Sequence, residues 1–440
     1  MKYIYINIIA LATLLCCSSN MYSQITQKAT HGNFVITNAT IVTVTKGTFE
    51  GTVTIQDGII TGVSKSGSKD KIEMEGGATI IDAKGMYVYP GMIDGGTHIG
   101  LGEISAVSLT QDYNELGDFI PHMQALTAVN PSSVNIPVNR VAGVTTALAC
   151  PDGGLFPGTA ALIHLHGYTP EQMYAGFKAP MLNFPASGKR GRWDRRSEED
   201  IKKDEDKANK KLNDIWSKAK QYAKIDSLAT AKNKKKTGFN PQMDALMPVV
   251  RNEMPLLIVV NKDSDIEAAI KWVASQKVKA IFMGVAEGWR VAEEIAKSKI
   301  PVIVGPVLDN PRRASDPYEI NYANPGILAK AGVQVAIRTN ETENVRNLPY
   351  NAGFAATYGM GIEDALKAIT INPAQIFGLG DKLGSIEKGK IANLIICTGD
   401  PFETKTDVKH VFINGWNIPM ESRQTLLYDE FLERSPGISK

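Results

Sequence analysis

Six histidines and a scatter of carboxylates bound the chemistry open to this 440-residue chain. The segment from Met86 to Leu101 carries the sharpest signal. Its apolar run breaks at Pro90 and Gly91, closes on Asp94, and is followed four residues later by His98. A carboxylate and an imidazole at the end of a short apolar run are materials for acid–base catalysis or metal binding. His164 and His166 stand two apart, which on a strand turns both rings to one face with metal-ligand spacing. The same pattern describes two rings set into a sheet wall, the commoner arrangement. His31 and His410 fall in β-rich flanks, and His122 follows Pro121 in a loop. Of the four cysteines, Cys16 and Cys17 lie in an N-terminal apolar stretch, which leaves Cys150 and Cys397. Two thiols are too few for a zinc-thiolate site and read as buried free cysteines.

The elements that must position these groups are legible in the patterning. Short β-rich runs fill residues 33–65, with Asp57 and Gly58 marking a hairpin. Similar runs return at Ala392–Cys397 and Val408–Ile413. Between these flanks, strand-like runs (Gly143–Leu148, Ala160–Leu165, Leu256–Val260, Ala280–Met283, Val302–Val304, Val333–Ile337) alternate with helical ones. The helical patterns cover Asp265–Gln276, Ala286–Lys297, Asn324–Ala331 and Glu363–Thr370. Such alternation predicts a parallel α/β sheet, whose commonest closed form is the (β/α)8 TIM barrel.

Residues 1–23 read as a secretory signal peptide. Lys2 precedes an apolar stretch from Ile4 to Leu15, and cleavage is expected after Ser23. The expected address is periplasmic or secreted, with a lipoprotein through Cys16 or Cys17 as the alternative. No later run is long enough to span a bilayer. Formal net charge is +2, yet residues 189–236 hold 17 Lys or Arg against 9 Asp or Glu. Ile201, Leu212, Ile215, Ala219 and Tyr222 fall there at helical spacing behind a cap at Ser197, so this stretch is expected to be an exposed helical insertion. No aromatic interleaving or nucleic-acid motif accompanies the basic charge.

Several blocks in order resemble the amidohydrolase superfamily, and within it the exported imidazolonepropionase-like group. They are Pro90–Asp94 with His98, Ala323–Val333, Asn347–Phe354, Ile371–Leu379, Leu383–Ile396 and Gly399–Pro401. The resemblance implies a β-sandwich built from residues 25–87 plus 376–420 and a barrel over residues 88–375. It also implies one or two divalent metals, usually zinc, at the C-terminal rim of the barrel. Family ligands are a histidine pair after strand one, a bridging carboxylate or carbamylated lysine, histidines after strands five and six, and an aspartate after strand eight. Carried onto this sequence, those positions read Gly96 and His98, Asn183 for the bridge, Asn261, Gly284 and Asn340. Only His98 is a metal-ligand residue.

The resemblance thus implies hydrolysis of C–N bonds in small cyclic amides, imides or dipeptide-like substrates. The residues imply a depleted site in which zinc is weak or absent and metal-dependent hydrolysis is weak or lost. One alternative is a non-catalytic binding subunit, associated with an active paralogue. Another is a metal-free hydrolase working through His98, Glu103, Glu287, Arg338 and Asn340, whose side chains suit acid–base work and carbonyl orientation. Each has a plainer role open to it: Glu103 and Glu287 as solvated loop residues, Arg338 as the partner of a structural carboxylate.

Overall fold

The computed structural model describes residues 28–68, 77–104, 106–189, 194–231 and 238–434; the signal peptide expected in residues 1–23, with Cys16 and Cys17, lies outside them. Five strands open the chain: β1 (Phe34–Val42), β2 (Thr48–Gln56), β3 (Ile59–Lys65), β4 (Thr79–Asp82) and β5 (Tyr87–Pro90). Asp57 and Gly58 both take positive φ (49° and 81°) between paired Gln56 and Ile59, the two-residue turn their side chains favour.

Eight strands then form the second sheet: β6 (Met92–Thr97), β7 (Val144–Ala149), β8 (Thr159–His164), β9 (Tyr174–Asn183), β10 (Leu256–Val260), β11 (Ala280–Gly284), β12 (Val302–Val304) and β13 (Val335–Ile337). They are neighbours in chain order. The seam is closed just past the strand ends, where Asn340 N donates to Gly96 O at 3.0 Å and His98 N to Glu341 O at 2.9 Å. Ile93, Leu148, Leu162, Met181, Leu257, Ile281, Ile303 and Ala336, one from each strand, fill the interior as a single apolar cluster. This is the expected TIM-type barrel with one departure: β8 runs antiparallel to both β7 and β9. A parallel partner needs a crossover of a dozen residues or so, usually a helix. Residues 150–158, which hold two prolines and three glycines, allow only a direct return.

The chain comes back through β14 (Leu394–Cys397), β15 (Val408–Ile413) and β16 (Trp416–Ile418), and β14 pairs antiparallel with β5. The resulting path runs β16-β15-β14-β5-β1-β2-β3, with β4 beside β1. In a flat sheet β1 and β15 would be about 14 Å apart, at roughly 4.8 Å per strand. The rings of Phe34 and Phe412 nevertheless meet edge-on at 5.0 Å, so the sheet curls over a core of its own that unites Val53 and Ile55 with Leu394 and Ile396.

The basic stretch is helical over Glu198–Ala231, but it is not an excursion. Leu212, Ile215, Trp216 and Ala219 join the main core. Trp216, 1% exposed, packs at 5.3 Å on Trp272 of the helix Asp263–Gln276. Asn213 accepts from the Trp272 indole at 3.2 Å, and Asp226 pairs with Arg251 at 2.8 Å. Its apolar stripe covers the barrel while its charges face outward, as for any outer-layer helix.

Candidate functional site

Strands β10 to β13 end around one cavity of about 170 Å³, with Asn261, Gly284, Gly305, Arg338 and Asn340 in its wall. All five follow or close their strands, so the barrel positions them at its C-terminal rim, where barrel enzymes hold reacting groups. The helix Ile320–Lys330 supplies the facing wall through Asn321 and Asn324. Gly284 has φ +89° and Asn340 +58°, left-handed conformations that glycine and asparagine tolerate best. An ideal Cβ at Gly284 would collide with Asn261 Oδ1, so the amide occupies the space a side chain at 284 would need.

Gly96 lies beside Arg338, one of the cavity's lining residues. A Cβ there would come within 2.8 Å of Met283 Cε and 3.2 Å of Arg338 Cδ. The Met283 methyl and the Arg338 stem therefore crowd the place where a side chain at 96 would start. Arg338 is 6% exposed, and Nε donates to Gly305 O at 3.1 Å. Among the described residues no carboxylate forms an ion pair with it, and burial pulls its pKa down.

Asp94 sits beneath, fully buried, and accepts from Gly96 N at 3.0 Å, Thr339 N at 3.2 Å and Thr339 Oγ1 at 2.5 Å. Burial pushes its carboxyl up to about 7 despite those donors and the nearby Arg338 charge. His98 meets Cys150 O through Nδ1 at 2.9 Å and stacks on Tyr113 at 4.3 Å. A carbonyl oxygen can only accept, so the proton sits on Nδ1 and Nε2 is the free acceptor. Burial depresses the pKa of this ring and favours the neutral form.

The two glutamates are engaged elsewhere. Glu287 accepts from Arg313 Nε at 2.8 Å and Nη2 at 2.6 Å, and from Asp263 N at 3.1 Å, which ties the loop after β11 to the loop after β12 and to the start of the preceding helix, Asp263–Gln276. That loop delays the expected helix at 286–297, which begins only at Ala292. Glu103 accepts from Asn130 at 2.9 Å and Ser133 at 3.1 Å, bracing two loops. Asn183 closes β9 and donates to Gly154 O at 2.8 Å. His164, on the reversed strand, points to the opposite end of the barrel. Its Nδ1 lies 3.1 Å from Asn393 Nδ2, and burial lowers it and His166 to about 4.

The cavity therefore offers asparagine amides, Arg338, Arg312 and one exposed carboxylate, Asp309. Among the described residues no three His, Cys, Asp or Glu side chains gather closely enough to hold a metal ion. Amides and guanidinium cations do not make a zinc cage, which needs three or four imidazole, thiolate or carboxylate donors. This donor set does not fit the metal. Asn321 and Asn324 escaped notice in the sequence, although their three-residue spacing places them on one helical face.

Fold and rim geometry define the class: a TIM-type barrel with a composite β domain. Residues 290–417 match the amidohydrolase family. The chain is 33% identical over 108 residues (22% of its length) to the imidazolonepropionase of Thermoplasma volcanium, and the match spans only 26% of that enzyme. An amidohydrolase from Thermotoga maritima superposes with a TM-score of 0.76 at 26% identity, covering 88% of this chain and 99% of that one. Molinate hydrolase (TM-score 0.53, 16% identity, 89% and 95% covered) and a prolidase complexed with N-methylphosphonate-L-proline (0.51, 13%, 88% and 99%) share the fold alone. The family match covers Asn340 but not Gly96, His98, Asn261 or Gly284. Among the described residues, no helix is long and apolar enough to cross a membrane.

Proposed function

We propose that this chain is an imidazolonepropionase-like amidohydrolase whose barrel rim binds a small carbonyl-containing molecule, with metal-dependent hydrolysis weak or lost. One observation carries the reading. The buried guanidinium of Arg338 and the amides of Asn261 and Asn340 line the cavity where metal donors would be required. Amides and a guanidinium can orient a carbonyl or carboxylate through hydrogen bonds, whereas a second cation beside Arg338 is opposed by charge. The leader read in residues 1–23 supports export as part of the same proposal. The test is hydrolysis of a panel of cyclic amides by protein purified without chelator, assayed as isolated, with EDTA and with added zinc. Turnover below detection in all three conditions supports the proposal. Turnover that EDTA abolishes and zinc restores overturns it.

A second reading, metal-free hydrolysis, draws support from His98, whose Nε2 is left free as an acceptor by the Nδ1 contact with Cys150 O. It requires turnover that EDTA leaves unchanged and that His98→Gln abolishes.

A further inference from the structure

Arg338 is a buried cation that the protein compensates only in part. Removing a guanidinium from water is costly unless an anion and good hydrogen bonds replace the solvent. Here Nε donates to Gly305 O, and Asp94 and Asp152 are near enough to favour the charge, but among the described residues no carboxylate forms an ion pair with the group. The facing wall has the opposite deficiency. Asn324, 1% exposed, donates Nδ2 to Val285 O at 2.9 Å and Ala286 O at 3.4 Å, which fixes the amide orientation. Its Oδ1 is buried with no hydrogen-bond partner. Asn321 repeats the arrangement, with Nδ2 on Asp309 O at 3.1 Å and Asn310 O at 2.8 Å, so its carbonyl oxygen is also left over. Arg338 on the barrel wall and Asn324 and Asn321 on the helix wall therefore line the same cavity.

From this pairing we infer that the cavity takes a compact carboxylate that also carries an N–H donor: the carboxylate meets Arg338 and the N–H meets Asn324 and Asn321. The inference rests on the ligand-binding reading above and names its ligand class. A cavity of about 170 Å³ admits only a small molecule. Its single carboxylate, Asp309, is exposed, accepts from Asn310 N at 2.7 Å and forms no ion pair with Arg338. Both halves of the ligand are needed, because either alone leaves one wall unsatisfied.

Calorimetric titration of the full-length protein with three probes tests this. N-acetylglycine has both groups, N-acetylglycinamide lacks the carboxylate, and propionate lacks the N–H. The expected result is saturable binding of N-acetylglycine, at least ten-fold tighter than either truncated probe. Equal binding of N-acetylglycinamide, or no binding of N-acetylglycine, overturns the assignment. Because the series uses the unmodified chain, it decides the matter whether or not variants fold. Arg338→Met and Asn324→Leu, if folded by circular dichroism, should each lose at least ten-fold for N-acetylglycine, and unchanged affinity in folded variants contradicts the inference. A failure here with no EDTA-sensitive turnover rejects this ligand class only, whereas EDTA-sensitive turnover rejects the reading beneath it.

Discussion

Asn261 Oδ1 stands where a β-carbon on Gly284 would have to be. These residues end neighbouring strands, β10 and β11, in register at Val260 and Gly284. They are two of the positions at which the family resemblance implies histidines, and here one amide has filled the space of both.

This packing makes Gly284→Ala costly. The new methyl meets Asn261, and φ +89° is strained for any L residue. The expected loss is about 2–3 kcal/mol of unfolding free energy, read by urea denaturation. Adding Asn261→Gly should recover part of it. Complete additivity of the two substitutions would show that the residues do not compete for space.

Reinstating the family donors together (Gly96→His, Asn261→His, Gly284→His, Asn340→Asp) should destabilise the barrel rather than complete a metal cage. Both glycine sites are crowded, at 284 by Asn261 and a left-handed φ and at 96 by the Met283 methyl and the Arg338 stem. A thermal melt checks this against the unmodified chain. A variant of equal stability that binds zinc in calorimetry would refute the steric account.

The sequence carried the fold well because alternation and turn chemistry are local. Asp57 and Gly58 signalled their hairpin, and Leu256–Val260 and Val302–Val304 appear as strands with the expected bounds. The reversal of β8 was hidden because a β-run does not state its direction; the short link from Cys150 to Gly158 held that information. The helix at 198–231 misled because its charge density dominates composition, whereas burial depends on the stripe through Leu212, Ile215 and Trp216. At the rim, Gly96, Asn261, Gly284 and Asn340 were legible through resemblance. The occlusion of Gly284 by Asn261 and the spare oxygens of Asn321 and Asn324 depend on contacts between segments far apart in the chain.

Trp216→Ala should cost about 3–5 kcal/mol, as expected for truncating a fully buried aromatic. Deleting residues 198–231 should abolish the cooperative melt, followed by far-ultraviolet circular dichroism. A deletion variant that still melts in one sharp transition would show the helix to be dispensable.

Glu287→Gln should weaken the fold by about 1–3 kcal/mol through loss of its ionic bonds to half-exposed Arg313, and leave ligand affinity unchanged. Measuring the melt and the N-acetylglycine titration on one preparation separates the effects. A folded, equally stable variant with altered affinity would place Glu287 in the site after all.

His164 gives a pH prediction with a defined sign. Its pKa falls from about 6.5 unfolded to about 4 folded, because burial penalises the charged ring. The stability it contributes is present above about 6.5 and is lost as pH falls towards 4, by on the order of 3 kcal/mol. Asp94, raised to about 7, works oppositely: its contribution is present below about 4 and lost as pH rises towards 7. The difference between the unmodified chain and His164→Asn isolates the histidine, and a difference that is flat from pH 7 to 4 would disprove the assignment.

The most direct measurement of the central claim is the metal content of protein purified without chelator, determined by elemental analysis after dialysis against micromolar zinc. A rim lined by Arg338, Asn261 and Asn340 should retain far less than one zinc per chain. One or two tightly held equivalents, released by EDTA together with a hydrolytic activity, would contradict it.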